Sequence, residues 1–163
     1  MKIYKQEIVD GLEKALAEQN TLAYCSLAET QALEEANKDQ IDLFYLKSIL
    51  VSTGWNKNDD VFDPGELWKA RNTPEDKPFN YMHDEKDIIG HITGNVAVDF
   101  DGNELGENIT DIPSQFNILT TSVIYTAWSE AEQKQRMEKI VSEIEEGKWF
   151  VSMECLFPDF DYA

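Results

Sequence analysis

The chain is short of positive charge, histidine and cysteine, and it lacks any long apolar run. Fourteen Lys and Arg stand against thirty-two Asp and Glu, a formal net charge of −18 over 163 residues. No local basic cluster interrupts the acidity, which argues against a nucleic-acid or anionic-membrane partner, since both are gripped through Lys and Arg. The two cysteines, Cys25 and Cys155, form no CxxC pair, so structural zinc is disfavoured and free thiols in a reducing compartment follow. No apolar stretch reaches membrane-spanning length, and the opening MKIYKQEIVDGLEKALAEQN is too polar for a signal peptide. Glycine-rich phosphate loops and dinucleotide fingerprints are missing too, which leaves nucleotide chemistry without support. The expectation is a soluble intracellular protein. Its hydrophobic content of 42% supports a packed core in a single domain over 1–163.

Strands dominate the pattern. Residues 3–18 carry Ile8, Leu12, Ala15 and Leu16 at helical spacing, and TLAYCSLA (21–28) is compact enough for a buried strand. We read 1–38 as a helical and strand extension and 39–163 as the core. Asp42–Thr53, Ile88–Phe100, Phe116–Trp128 and Trp149–Phe157 read as strands, rich in β-branched and aromatic residues. Between them lie an Asp63-Pro64-Gly65-Glu66 helix start, with Leu67 and Ala70 facing inward, and an irregular stretch over 72–78. A capping box at Ser129–Glu132 opens a helix with a Met137, Ile140, Val141, Ile144 stripe, and Gly147 stops it. Asp101-Gly102 supplies a hairpin turn. Irregular insertion of helices among strands, without βαβ alternation, predicts an α+β fold with an antiparallel or mixed sheet or barrel and peripheral helices.

Both histidines, His83 and His91, fall in KPFNYMHDEKDIIGHITG (77–94). A loop-to-strand transition between them means that they share no helical face, so a metal site is weakly supported even with Asp84, Glu85 and Asp87 nearby. Asn56, Asn58 and Asp60 alternate like a calcium loop, but Val61 stands where an EF-hand needs Gly and Leu67 where it needs Glu. Asp99, Asp101 and Asn103 are explained by the hairpin turn. No cofactor and no metal is expected. Ser152 interrupts the apolar strand WFVSMECLF, on one face with Phe150 and Glu154. It reads either as a small polar residue on the solvent face of an edge strand or as a nucleophile, which needs a base; His83 is the candidate. Cys155, on the other strand face among apolar neighbours, reads as a buried inert thiol.

An ordered set of features then resembles the capsid-maturation (prohead) proteases of tailed bacteriophages, serine proteases related in fold to the herpesvirus assemblins. The set is a strand (DLFYLKSILVSTG), an Asn-rich turn (NKNDDVF), a short helix (PGELWKAR), FNYMHD, and a strand with Ile-Gly (IIGH). A further strand, an amphipathic helix ending at Gly147, and GKWFVSME complete it, over about residues 42–157. The resemblance implies an assemblin-like, mostly antiparallel β-barrel surrounded by helices. It implies a serine endopeptidase in which Ser152 attacks and His83 acts as general base. Phage members tend to take an acidic third residue from the region before the histidine, which makes Asp76 the favoured one beside Glu66 and Glu75. Glu154, on the Ser152 face, and His91, the type the assemblins use, are alternatives. Substrates would be phage scaffold and major capsid proteins and the chain itself, inside the assembling prohead in the host cytoplasm. The herpesvirus branch implies a homodimer. Met153 and Glu154 follow the serine where the family carries Ser-Arg or Gly-like residues, so the oxyanion hole is unplaced. A non-catalytic scaffold-interaction protein of the phage head on the same fold is the rival from a different class, its acidic surface meeting basic partners.

Overall fold

The computed structural model describes residues 2–5, 31–32, 37–38, 40–56 and 59–155. Seven strands form one curled, mostly antiparallel sheet in the order β2-β3-β8-β7-β6-β1-β9. They are β1 (Lys2–Lys5), β2 (Gln31–Ala32), β3 (Leu43–Ser52), β6 (Pro78–Tyr81), β7 (Ile88–Val98), β8 (Asn117–Tyr125) and β9 (Trp149–Ser152). A separate hairpin joins β4 (Gly54–Trp55) to β5 (Val61–Phe62). Among the described residues only β1 and β6 pair in parallel. The sheet curls into a half-barrel, with β9 returning towards β3. Two helices accompany it among the described residues, α1 (Pro64–Ala70) and α2 (Ala131–Glu145), and neither is long and apolar enough to cross a membrane.

The inward face is written in alternate residues of the long central strands. On β3 it runs Phe44, Leu46, Ser48, Leu50; on β8 it runs Ile124, Ser122, Thr120, Ile118, all buried. Polar residues therefore sit between two apolar clusters. One cluster packs Phe44, Leu46, Phe79, Ile89, Ile92 and Ile124 against Met137, Ile140 and Ile144 of α2 and against Trp149 and Val151 of β9. The other packs Leu50, Ile118, Ala97 and Phe116 against Leu67 and Trp68 of α1, with Met153. Between them Ser48 and Thr120 share a hydroxyl–hydroxyl hydrogen bond of 3.1 Å.

Local chemistry explains the element ends. Asp63 caps α1 by accepting from the Glu66 N–H at 3.0 Å, with Pro64 at the first helical position. Leu67 is buried as its spacing predicts, but Ala70 is exposed and Trp68 takes the second inward place, edge-on to Phe116. The Met137, Ile140, Ile144 stripe is buried on α2. The capping box before it does not form: Glu130 is the N-cap and makes no side-chain cap bond. Gly147, at φ 71°, closes α2 as a Schellman turn, with Gly147 N–H on Ile144 O and Lys148 N–H on Glu143 O at 2.9 Å each.

Three further expectations change. Residues 3–5 belong to a strand; the remainder of the helix expected over 3–18, and the strand expected over 21–28, lie outside the described residues. The irregular stretch ends at Lys77, because Pro78–Tyr81 is a strand between β7 and β1. Strand β9 stops at Ser152 rather than running on to Phe157.

Candidate functional site

His83 occupies a tight reversal. Strand β6 ends at Tyr81, and the backbone turns through Met82 and His83 at φ 54° and 61°, with Asp84 N–H donating to Tyr81 O at 3.0 Å. Positive φ at both central positions is the geometry of a type I′ turn, which normally takes Asn and Gly; Met and His there are strained. Asp87 continues the loop, its N–H on Asp84 O (3.0 Å) and its carbonyl accepting from Tyr81 N–H (2.8 Å). The loop thus returns on its own base before β7 begins.

Helix α2 grips that base. Arg136 Nη1 and Nη2 donate to Asp87 Oδ1 and Oδ2 at 3.1 and 2.5 Å, a two-pronged pair. The hydrogen bond to Asp87 raises the Arg136 pKa further, and the guanidinium lies 4.6 Å from the centre of the Tyr81 ring. Tyr81 in turn meets Trp149 of β9, ring centroids 5.7 Å apart. Trp149 Nε1 donates to Glu143 of α2 at 3.1 Å.

Ser152 is the last residue of β9 and is 3% exposed, so it does not sit on a solvent face. Strand β1 lies between it and β6: Ser152 pairs with Lys2, and Lys2 pairs with Asn80. At about 4.8 Å per strand, the Ser152 and Asn80 backbones are about 10 Å apart. His83 lies beyond Tyr81, farther along β6 and away from the Ser152 level. The described conformation therefore does not bring His83 and Ser152 into hydrogen-bond contact. Asn80, buried beside this row, has a carbonyl oxygen Oδ1 with no hydrogen-bond partner among the described residues.

The acidic candidates are scattered. Asp76, the favoured third residue, is exposed at φ 60° and donates its N–H to Ile92 O at 3.0 Å. It precedes β6 whereas His83 follows it, and an extended strand advances about 3.3 Å per residue, so the two flank opposite ends. In this conformation the length of β6 separates them. Glu75 is exposed in the same turn, and Glu66 is exposed and paired with Lys69 at 2.6 Å. Glu154 is exposed just past β9. His91 is level with Pro78, again at the far end of β6 from His83, and its Nδ1 is 2.8 Å from Tyr125 OH. Among the described residues no three His, Cys, Asp or Glu side chains converge as a metal site. Cys155 is half-buried beside the α1 cluster, and burial pushes its thiol pKa up.

The residues that close the base of the His83 loop are Tyr81, Asp87, Arg136 and Trp149, of which the sequence singled out only Asp87, as a carboxylate near the histidines. One signal was available, since Arg136 is one of only two arginines in the chain. Its placement in the first turns of α2, next to the stripe that faces the sheet, put it within reach of a strand end. Set against known proteins, the chain matches no family model, no curated protein and no solved structure.

Proposed function

We propose that this chain is a serine endopeptidase of the phage head-maturation type, with Ser152 as nucleophile and His83 as general base. The observation that carries the reading is the His83 turn. A histidine and its neighbour are held in a backbone conformation that neither residue favours, and such strain persists where the surroundings over-determine a side chain for a task. The same sheet carries a buried serine on its last strand, linked to the His83 loop through Trp149 and Tyr81. Acyl transfer would run by attack of Ser152 Oγ on the scissile carbonyl. His83 takes the hydroxyl proton and returns it to the leaving amine; water then releases the acyl group by the same route. The substrates of this reading are scaffold and capsid precursors, and its site of action is the assembling prohead.

The reading carries a structural requirement. With β1 between β9 and β6, Ser152 and His83 meet only after Lys2–Lys5 leaves that gap or β9 shifts. A variant lacking residues 1–5 is therefore expected to process substrate at least as fast as the full chain. The same intervening strand favours a second reading, a non-catalytic head-assembly protein on this fold. Co-expression of capsid and scaffold precursors with wild type, Ser152→Ala and His83→Ala separates the two. The protease reading expects processing by wild type alone, and equal processing by all three would sink it.

A further inference from the structure

We propose that Arg136 is a positioning residue for His83, holding the 81–87 loop in the strained turn that the protease reading uses. The proposal rests on that reading for its purpose, but its physical content is independent of it.

Turn hydrogen bonds shape the loop: Asp84 N–H meets Tyr81 O, Asp87 N–H meets Asp84 O, and Lys86 N–H meets Asp84 Oδ1. Asp84, Glu85 and Lys86 are exposed, and the turn at Met82 and His83 opposes the conformational preference of both residues. Left alone, such a turn relaxes towards φ below zero. Closure of the loop base, where Tyr81 N–H meets Asp87 O, opposes relaxation. Arg136 fastens both sides of that closure at once: its two nitrogens hold the Asp87 carboxylate, and its plane covers the Tyr81 ring. The pair is about one-third exposed on each side, 31% and 29%, so it is shielded from solvent and salt more than a surface pair would be. Lysine would supply the charge but neither the paired donors nor the flat stacking surface. Because Tyr81 also packs on Trp149, the same guanidinium ties the loop to the strand that ends in Ser152. The anchor sits on the fifteen-residue helix α2, where Met137, beside Arg136, is fully buried, so the helix cannot slide to follow a loosened loop.

The test uses the histidine scarcity of the chain. With two histidines, an imidazole-labelled sample gives two sets of ring resonances, assigned by His83→Gln and His91→Gln. In Arg136→Lys and Arg136→Gln the His83 resonances should shift and broaden, while those of His91, held by Tyr125, stay in place. Asp87→Asn should reproduce the effect, and the swap Arg136→Asp with Asp87→Arg should restore part of the native His83 signal. Unchanged His83 resonances in both Arg136 variants would overturn the proposal. If Arg136→Gln loses the dispersion of both histidines through unfolding, Arg136→Lys and Asp87→Asn decide by the same reading. In the processing assay kcat should fall at least tenfold with KM little changed, a pattern that general loss of folded protein does not give. Processing that survives Ser152→Ala would reject the protease reading, and the resonance arm would still decide whether Arg136 positions His83.

Discussion

At the scale of single residues, side-chain volume and hydrogen-bond satisfaction decide what this fold tolerates. Gly90 is the sharpest case: a Cβ added there would lie 1.9 Å from the Val123 carbonyl oxygen, which is backbone and cannot yield. Gly90→Ala should cost about 3 kcal/mol or more of stability, read as a large fall in melting temperature. Ser122 points the other way. Its hydroxyl is buried with no partner among the described residues, so Ser122→Ala should leave stability unchanged or raise it by about 1 kcal/mol. A clear loss on chemical denaturation would mean that the hydroxyl is satisfied after all. Asp99 gives a pH signature. Its carboxyl is hydrogen-bonded by Asn103 side chain and backbone and by Asp101 N–H, which holds its pKa below the ordinary 3.8. A depressed pKa contributes stability above the ordinary value and loses it as pH falls through the lowered one. The amide shifts of Asp101 and Asn103 should therefore titrate with a midpoint below 3.8, and a midpoint at or above it would contradict the turn geometry.

At the scale of elements, most of the long strands and both helices were legible because their signals are local. The alternation in β3 and the stripe on α2 need only one segment each to be read. The same locality explains the failures. Strand β6 is four residues opening at a proline, too short to show a period, and it exists because β7 and β1 accept it on either side. The capping box at Ser129 reads correctly as chemistry, but the helix starts one residue later than that box requires, so its serine caps nothing. Gly147 was readable because a left-handed residue ends a helix whatever lies around it. Gly147→Ala, with open space but φ 71°, should cost about 1 kcal/mol through backbone strain alone, measurable by denaturant titration. Loss much larger than that would mean packing was also involved.

At the scale of the whole molecule, the sequence located His83 and Ser152 as residues of interest but not their relation. Which strand lies between two others is a matter of sheet order, and sheet order depends on long-range pairing that no local window carries. The insertion of β1 between β6 and β9 is such a fact, and so is the use of Arg136, remote in sequence, to fasten the His83 loop. The acidic third residue was sought by order along the chain; the fold instead spreads Glu66, Glu75 and Asp76 before β6 and puts Asp87 at the base of the His83 loop, already bound by Arg136. The half-barrel, with its polar belt between two apolar clusters, is compatible with an enzyme core and with an assembly protein alike, so the distinction rests on chemistry at Ser152.

The most direct measurement of that chemistry is covalent labelling with a serine-reactive fluorophosphonate, located by peptide mass spectrometry. The protease account predicts a single adduct on the Ser152 peptide, absent in Ser152→Ala and formed at least about 100-fold more slowly in His83→Ala, as loss of a general base requires. Labelling should also speed up when residues 1–5 are removed. No adduct at Ser152 in either the full or the shortened chain, or an adduct whose rate ignores His83, would contradict the account.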